Sequence, residues 1–288
     1  MEKEIRYENK KIFYQSIGKG KPVMLVHGFG EDGNVWKNQA PSNSPKGGGL
    51  ANAQNLNDEN TLLNKGFRFI IPDLPGSGTS EMISDMSMEG MAEVLHSIIH
   101  QENIDKCTVI AHSMGGYITL ALVEHYWNHV NAFGLFHSTA FPDTEEKKET
   151  RKKGIEFIRN YGAYEFLKTS TPNLFSPNSK QQSRSLSGPN SIADFISTLA
   201  NFSADALVSY YEAMMKRPDR TTVLKNTENP VLFIAGEYDI AAPLNDVLKQ
   251  CHLPEKSYFH VLKKSGHMGM MEEPEKANRI LQEFLNEN

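Results

Sequence analysis

Short, mostly apolar runs recur along this chain, separated by amphipathic stretches of helical period. Val23, Met24, Leu25 and Val26 form the first run and lead into His27-Gly28-Phe29-Gly30; similar runs occupy residues 67–71, 107–111, 132–136, 231–235 and 257–262. A strand buried on both faces reads in this way. Between the runs, Met91, Val94, Leu95, Ile98 and Ile99 recur at helical spacing and predict a helix over 88–99. Residues 117–127 and 272–285 predict two more. At the start, residues 5–7 and 11–16 read as a hairpin about Glu8-Asn9-Lys10. Strand alternating with helix implies an α/β fold, a parallel sheet with helices on both faces.

The alternation stops after residue 136 and resumes at 231. Residues 139–220 show helical patterns without a buried strand, as expected of an inserted helical lid. The chain thus divides into a core segment at 1–138, the lid at 139–220 and a second core segment at 221–288. Asp143 followed by Glu146 fits a helix start, with Asp143 capping a helix over 144–153. Residues 39–60 hold Asn at 43, 52, 55, 57 and 60 and the triplet Gly47-Gly48-Gly49. Too little apolar area lies there to offset chain ordering, so a flexible surface loop is the expectation.

Composition narrows the function. Hydrophobic residues make up 39% and charged residues 23% of 288, with a mean hydropathy of -0.47, values of a globular chain able to bury a sizeable core. Thirty basic against 35 acidic side chains leave a net charge of -5, which disfavours nucleic-acid binding. Two cysteines, Cys107 and Cys251, make no disulfide framework. The charged start Met1-Glu2-Lys3-Glu4 lacks a secretory apolar stretch, and no run of 18 apolar residues occurs. A cytoplasmic protein without a membrane span is expected.

The strongest chemical signal is Ala111-His112-Ser113-Met114-Gly115, between a buried run and a helix. Small residues at 111 and 115 permit a sharp turn that lifts a serine hydroxyl above the sheet. The pattern departs from Gly-x-Ser-x-Gly by one methyl group, at Ala111. A serine hydroxyl is a weak nucleophile and needs a base, which needs an orienting carboxylate. Gly236-Glu237-Tyr238-Asp239 follows the run at 231–235, and Ser265-Gly266-His267-Met268 follows the run ending at 262. Ser113, Asp239 and His267 therefore each fall at a strand's carboxyl end, where sites of open α/β sheets gather.

With these segments, and with Asp73-Leu74-Pro75-Gly76-Ser77-Gly78-Thr79-Ser80, the chain resembles the α/β-hydrolase superfamily over most of its length, outside 39–60 and much of 139–220. Within it, the chain looks most like the capped esterase and carbon-carbon hydrolase branch. The resemblance implies a mostly parallel eight-stranded sheet with a helical cap. It also implies that Ser113 attacks a carbonyl, His267 moves the proton and Asp239 holds the imidazole. By position, the backbone N–H groups of Phe29 and Met114 would form the oxyanion hole, each such donor being worth about 3 to 4 kcal/mol of barrier. A serine at 113 argues against the haloalkane dehalogenases and epoxide hydrolases of this fold, which use a carboxylate.

Other signals are weaker. His96 and His100, and His125 and His129, are spaced for zinc on one helix face. Neither pair has a third ligand nearby in sequence, so solvated or capping histidines are the better reading and no metal is expected. Gly18-Lys19-Gly20-Lys21 reads as a turn, and Gly76-Ser77-Gly78 lacks a third glycine, so no cofactor is implied. Asp143 is an alternative triad acid, with capping preferred. His137 either lines the pocket or is hydrogen-bonded structurally. The lid aromatics Phe141, Tyr164, Phe166, Phe175, Phe202, Tyr210 and Tyr211 are mostly expected in helical packing, with one or two facing substrate. The expected activity is a serine hydrolase cleaving a small or medium carboxylic ester or related acyl bond through an acyl-enzyme. Its rivals are carbon-carbon bond hydrolysis of diketone-type substrates and a ligand receptor on a hydrolase scaffold. The partner is a small molecule; oligomeric state is not readable.

Overall fold

The computed structural model describes residues 1–40, 62, 66–185 and 191–288. Eight strands form one sheet: β1 (Glu2–Tyr7), β2 (Lys10–Gly18), β3 (Lys21–Val26), β4 (Phe67–Pro72), β5 (Cys107–His112), β6 (Val130–Phe136), β7 (Val231–Gly236) and β8 (Ser257–Leu262). Their spatial order is β1-β2-β4-β3-β5-β6-β7-β8. β2 runs antiparallel to both its neighbours, and all pairs from β4 to β8 are parallel. This is the α/β-hydrolase fold. The hairpin turn is two residues long, because Glu8 and Asn9 both take positive φ (49° and 63°) and Lys10 already pairs with Tyr7, a twist matched to the flanking strands.

The continuous apolar runs are explained by which core each residue enters. Met24 and Val26 join a cluster with Met91, Leu95 and Ile118, while Val23 and Leu25 join Trp36, Leu281 and Phe284 on the opposite face. Phe233 and Leu232 divide in the same way. Successive side chains point to opposite faces, and both faces of the central strands are covered, so apolar residues dominate both parities there.

On one face lie α1 (Met88–Gln101) and α2 (Met114–Tyr126). Ser87 caps α1 by accepting the Gly90 N–H at 3.1 Å, and Met91, Val94, Leu95, Ile98 and Ile99 are wholly buried. The other face carries α11 (Pro274–Glu287), which begins on a proline suited to a first helical turn and buries Ala277, Ile280, Leu281, Phe284 and Leu285.

Between β6 and β7 the described residues form helices only: α3 (Glu145–Tyr161), α4 (Ala163–Ser170), α5 (Pro177–Ser185), α6 (Ile192–Thr198), α7 (Ala204–Lys216) and α8 (Thr221–Asn226). The Arg220 N–H donates to the Ala140 carbonyl at 2.9 Å, so the chain leaves and rejoins the sheet at one place. Two short helices follow β7 and β8, α9 (Leu244–Leu248) and α10 (Gly269–Glu272). Like α8, they are too short to show a period in the sequence.

One expectation is corrected, and another falls almost wholly outside the described residues. Asp143 does not cap α3: Thr144 does, accepting the Lys147 N–H at 3.2 Å. Asp143 is instead buried and ion-paired with Arg151 and Arg217. Burial opposes its ionisation, but the two guanidinium groups hold its carboxyl below the usual range. The loop expected at 39–60 lies outside the described residues, except for Gln39 and Ala40. Both are buried, and the Gln39 amide donates to the Met270 carbonyl at 3.1 Å. Among the described residues, no helix is long and apolar enough to cross a membrane.

Leu281 has no exposed surface and anchors α11 to the sheet. Leu281→Ala is expected to lower unfolding free energy by about 2 to 5 kcal/mol, read by urea denaturation; a loss within experimental error would mean that α11 does not close this core.

Candidate active site

Three loops meet at the carboxyl ends of β5, β7 and β8. Ser113 occupies the junction between β5 and α2 with φ 50° and ψ -115°, a conformation costing a non-glycine residue about 1 to 3 kcal/mol. The turn is held by Ser113 N–H donating to Phe136 O at 2.9 Å and by Ser138 Oγ donating to Ser113 O at 2.7 Å. Gly115 is required there, since an added Cβ would lie 2.6 Å from the His27 carbonyl oxygen.

His267 Nε2 is 2.8 Å from Ser113 Oγ, and His267 Nδ1 is 2.8 Å from Asp239 Oδ2. Asp239 Oδ1 accepts the N–H groups of Ala241 and Ala242, each at 2.9 Å. Burial opposes its ionisation, yet the charge of His267 and the nearby His137 and His267 rings hold the carboxyl well below the ordinary range. The serine, imidazole and carboxylate predicted from the sequence are thus brought together in series. Asp143, the alternative acid, is engaged elsewhere by its two arginines.

The loop bearing His267 is pinned on several sides. Its N–H donates to Leu174 O at 2.6 Å, in the segment between α4 and α5. The Gly266 N–H donates to Glu272 at 2.7 Å, and Ser265 Oγ to Glu273 at 2.8 Å, both carboxylates being at the α10 end. His137, at the end of β6, is wholly buried with a positive φ of 53°. Its Nε2 accepts the Gly269 N–H at 3.2 Å, leaving the ring proton on Nδ1, 3.0 Å from Asp239 Oδ2. Burial pushes His137 down to about 4, only partly opposed by Asp239, so it stands neutral behind the carboxylate. Of the two readings of His137, the structural one fits this position.

Met114 follows the serine in the chain, and the Gly28 turn, which leads into Phe29, comes close to it from another loop. Gly28 packs so closely that its added Cβ would fall 3.1 Å from Ser113 Cβ. Among the described residues, no protein acceptor takes the N–H of Phe29 or of Met114. His27 ties this loop to the Asp73–Ser80 turn, with its Nε2 accepting the Leu74 N–H at 3.0 Å. Phe29 stacks on Tyr211 at 4.3 Å between centroids and meets Phe166 and Tyr210 edge-on, each at 6.3 Å. Phe175 packs instead in the opposite core, near Phe195. A cleft of about 570 Å³ between α3 and α7, lined by Ile158, Gly162, Val208 and Glu212, holds none of the serine, imidazole or carboxylate groups.

Sequence reasoning missed Glu31. It is buried beneath the site, accepts the Gly28 N–H at 2.7 Å and meets His112 Nδ1 at 3.0 Å. His112 Nε2 in turn is 2.8 Å from the His267 carbonyl oxygen. Burial works against both charges. It is outweighed for Glu31 by the imidazolium and the Gly28 N–H, which lower the acid, and for His112 by Glu31 and the His267 carbonyl, which raise the base. The available signal was an acid and a histidine, each within four residues of a chemistry-bearing motif.

The arrangement can take a proton from a hydroxyl and hold the resulting imidazolium against a carboxylate. The sequence model for the alpha/beta hydrolase fold matches residues 21–274, and the chain belongs to that family; it is a hydrolase. A 2-hydroxy-6-oxononadienedioate/2-hydroxy-6-oxononatrienedioate hydrolase of Pseudomonas putida is 25% identical over 291 residues, covering 95% of this chain and 91% of the relative. A non-heme chloroperoxidase of Kitasatospora aureofaciens is 25% identical over 290 residues, covering 96% of each. Among solved structures, a thermophilic esterase from Thermogutta terrifontis superposes with a TM-score of 0.82 at 27% identity, covering 100% of this chain and 98% of that one.

The Glu31–His112 pair contributes stability only while both charges exist. The glutamate part is complete above its ordinary value of 4.5 and is lost as pH falls through the lowered folded value. The histidine part is complete below 6.5 and is lost as pH rises through the raised folded value. Glu31→Gln is therefore expected to destabilise by about 3 to 5 kcal/mol between these limits. In urea denaturation across pH, its deficit relative to wild type narrows above that window; a pH-independent deficit would show that the pair is uncharged.

Proposed function

We propose that this hydrolase cleaves a small or medium carboxylic ester or related acyl bond through an acyl-enzyme on Ser113. His267 takes the Ser113 proton as the hydroxyl attacks the carbonyl and returns it to the leaving alcohol. The same ring then deprotonates the water that releases the acid. Asp239 holds the Nδ1–H tautomer and stabilises the imidazolium. The N–H groups of Phe29 and Met114 receive the oxyanion, and helices α3 to α7 cap the acyl site, with Phe29, Phe166 and Tyr211 as its apolar wall. The observation that carries the reading is the pair of 2.8 Å contacts linking Asp239, His267 and Ser113 in series.

Carbon-carbon bond hydrolysis is the second reading. It is favoured by the name of the Pseudomonas putida relative, which aligns over nearly the whole chain, and the same three residues could serve it. Esters are favoured by the Thermogutta terrifontis esterase, which is similar in both sequence and structure.

A fluorophosphonate is expected to add its mass at Ser113 and abolish turnover, with Ser113→Ala losing at least about 10⁴-fold in kcat and Asp239→Asn about 10⁴-fold. Intact-protein and peptide mass spectrometry with ester kinetics checks both; labelling elsewhere or surviving activity in Ser113→Ala removes the nucleophile. Esters of graded acyl length should be turned over faster than a dienone that releases a carboxylic acid without an alcohol. The reverse order would establish the carbon-carbon reading.

A further inference from the structure

The two histidine pairs set aside in the sequence are rearranged by the fold. His125 stands apart with half of its side chain exposed, 3.9 Å from Glu124. His129, just past the end of α2, instead joins His96 and His100 of α1. One ring nitrogen from each of the three lies within 4.8 Å of the others. The ring centroids are 4.5 Å (His96–His100), 5.0 Å (His96–His129) and 5.3 Å (His100–His129) apart. The third ligand absent from the local sequence is supplied by packing α1 against α2.

We propose that His96, His100 and His129 form a three-imidazole site for a divalent transition-metal ion of the zinc class. Two of the rings are already held. His129 Nδ1 donates to the Asp105 carbonyl at 2.9 Å, which puts the lone pair on Nε2 and fixes the ring, as carbonyl partners do for metal-binding histidines. His96 is stacked on Tyr126 at 3.7 Å and 12°, and its Nε2 is buried without a hydrogen-bond partner. An orphaned buried ring nitrogen beside two more imidazoles is a polar group still lacking a partner, and a metal ion would supply one.

His100 is exposed and free to complete the set. Nitrogen ligands at 2.0–2.1 Å from tetrahedral zinc lie about 3.3 Å apart, so a spacing of at most 4.8 Å closes by rotation of the exposed His100 and small shifts of the other two rings. The exposed side leaves a fourth position to water. An all-imidazole set suits zinc, copper or nickel rather than calcium or magnesium.

This site is separate from the one around Ser113. The 13 residues of α2 span about 20 Å at 1.5 Å per residue, with Ser113 before its first turn and His129 beyond its last. The metal would staple the end of α1 to the connection between α2 and β6, and so stabilise the folded chain by binding it alone. It does not depend on the reaction assigned to Ser113.

Titrating the full chain with zinc chloride by calorimetry is expected to show one equivalent bound and a melting temperature that rises with zinc. Cobalt(II) is expected to give the visible absorption of a four-coordinate nitrogen site. His100→Ala and His129→Ala should each weaken binding by about tenfold or more and remove the thermal shift, whereas His125→Ala should change neither. His100 is exposed, so its loss does not threaten the fold. Absence of binding, or affinity unchanged in His100→Ala and His129→Ala, would overturn the proposal. Zinc that inhibits turnover equally in wild type and variants would place the ion at His137, Asp239 and His267 and overturn it too.

Discussion

Everything at the carboxyl edge of this sheet depends on the orientation of one imidazole. A ring that must reach a hydroxyl with one nitrogen and a carboxylate with the other has little rotational freedom, and the protein removes what remains through its surroundings. Asp239 is aimed by two backbone N–H groups on its far oxygen. The backbone of His267 is gripped at both its N–H and its carbonyl, by Leu174 and His112. In the reaction proposed for this site, a series held in this way would cost no reorganisation at the moment of proton transfer.

Two wholly buried histidines beside this ring are driven in opposite directions by their partners. His112 has a carboxylate at one nitrogen and a carbonyl at the other, both of which reward a proton. His137 has a backbone N–H at one nitrogen, which needs a lone pair, and shares Asp239 with His267. One is pushed toward its protonated form beneath the site and the other toward a neutral brace behind the acid. Through Glu31, His112 also joins the Gly28 turn to the end of β5, just before Ser113. One buried ion pair thereby couples the loop before the oxygen, the turn under it and the loop bearing the base.

The legibility of the sheet has a simple origin. Strands covered on both faces are apolar at nearly every position, and Val23 to Val26 or residues 231–235 stand out for that reason. The serine turn was equally plain, because a non-glycine residue at positive φ between strand and helix needs small neighbours, and the sequence shows them. Helices α8, α9 and α10 left no trace, being shorter than two full turns of any period. Asp143 was misread because a carboxylate ahead of a helix looks the same whether it caps the first turn or folds inward onto arginines eight and 74 residues further along.

What the chain determined by itself was local: the alternation of strand and helix, the loops at strand ends, and the order of serine, acid and histidine. These follow from side-chain periodicity and turn geometry, which act over a few residues. Only the tertiary structure decided which polar groups meet. Glu31 finds His112 across 81 positions, and His129 leaves its helical neighbour for two histidines on another helix. Pairings of that kind carry no period and no spacing, because they are fixed by how the helices and loops pack once apolar surface is buried, and packing is a property of the whole chain.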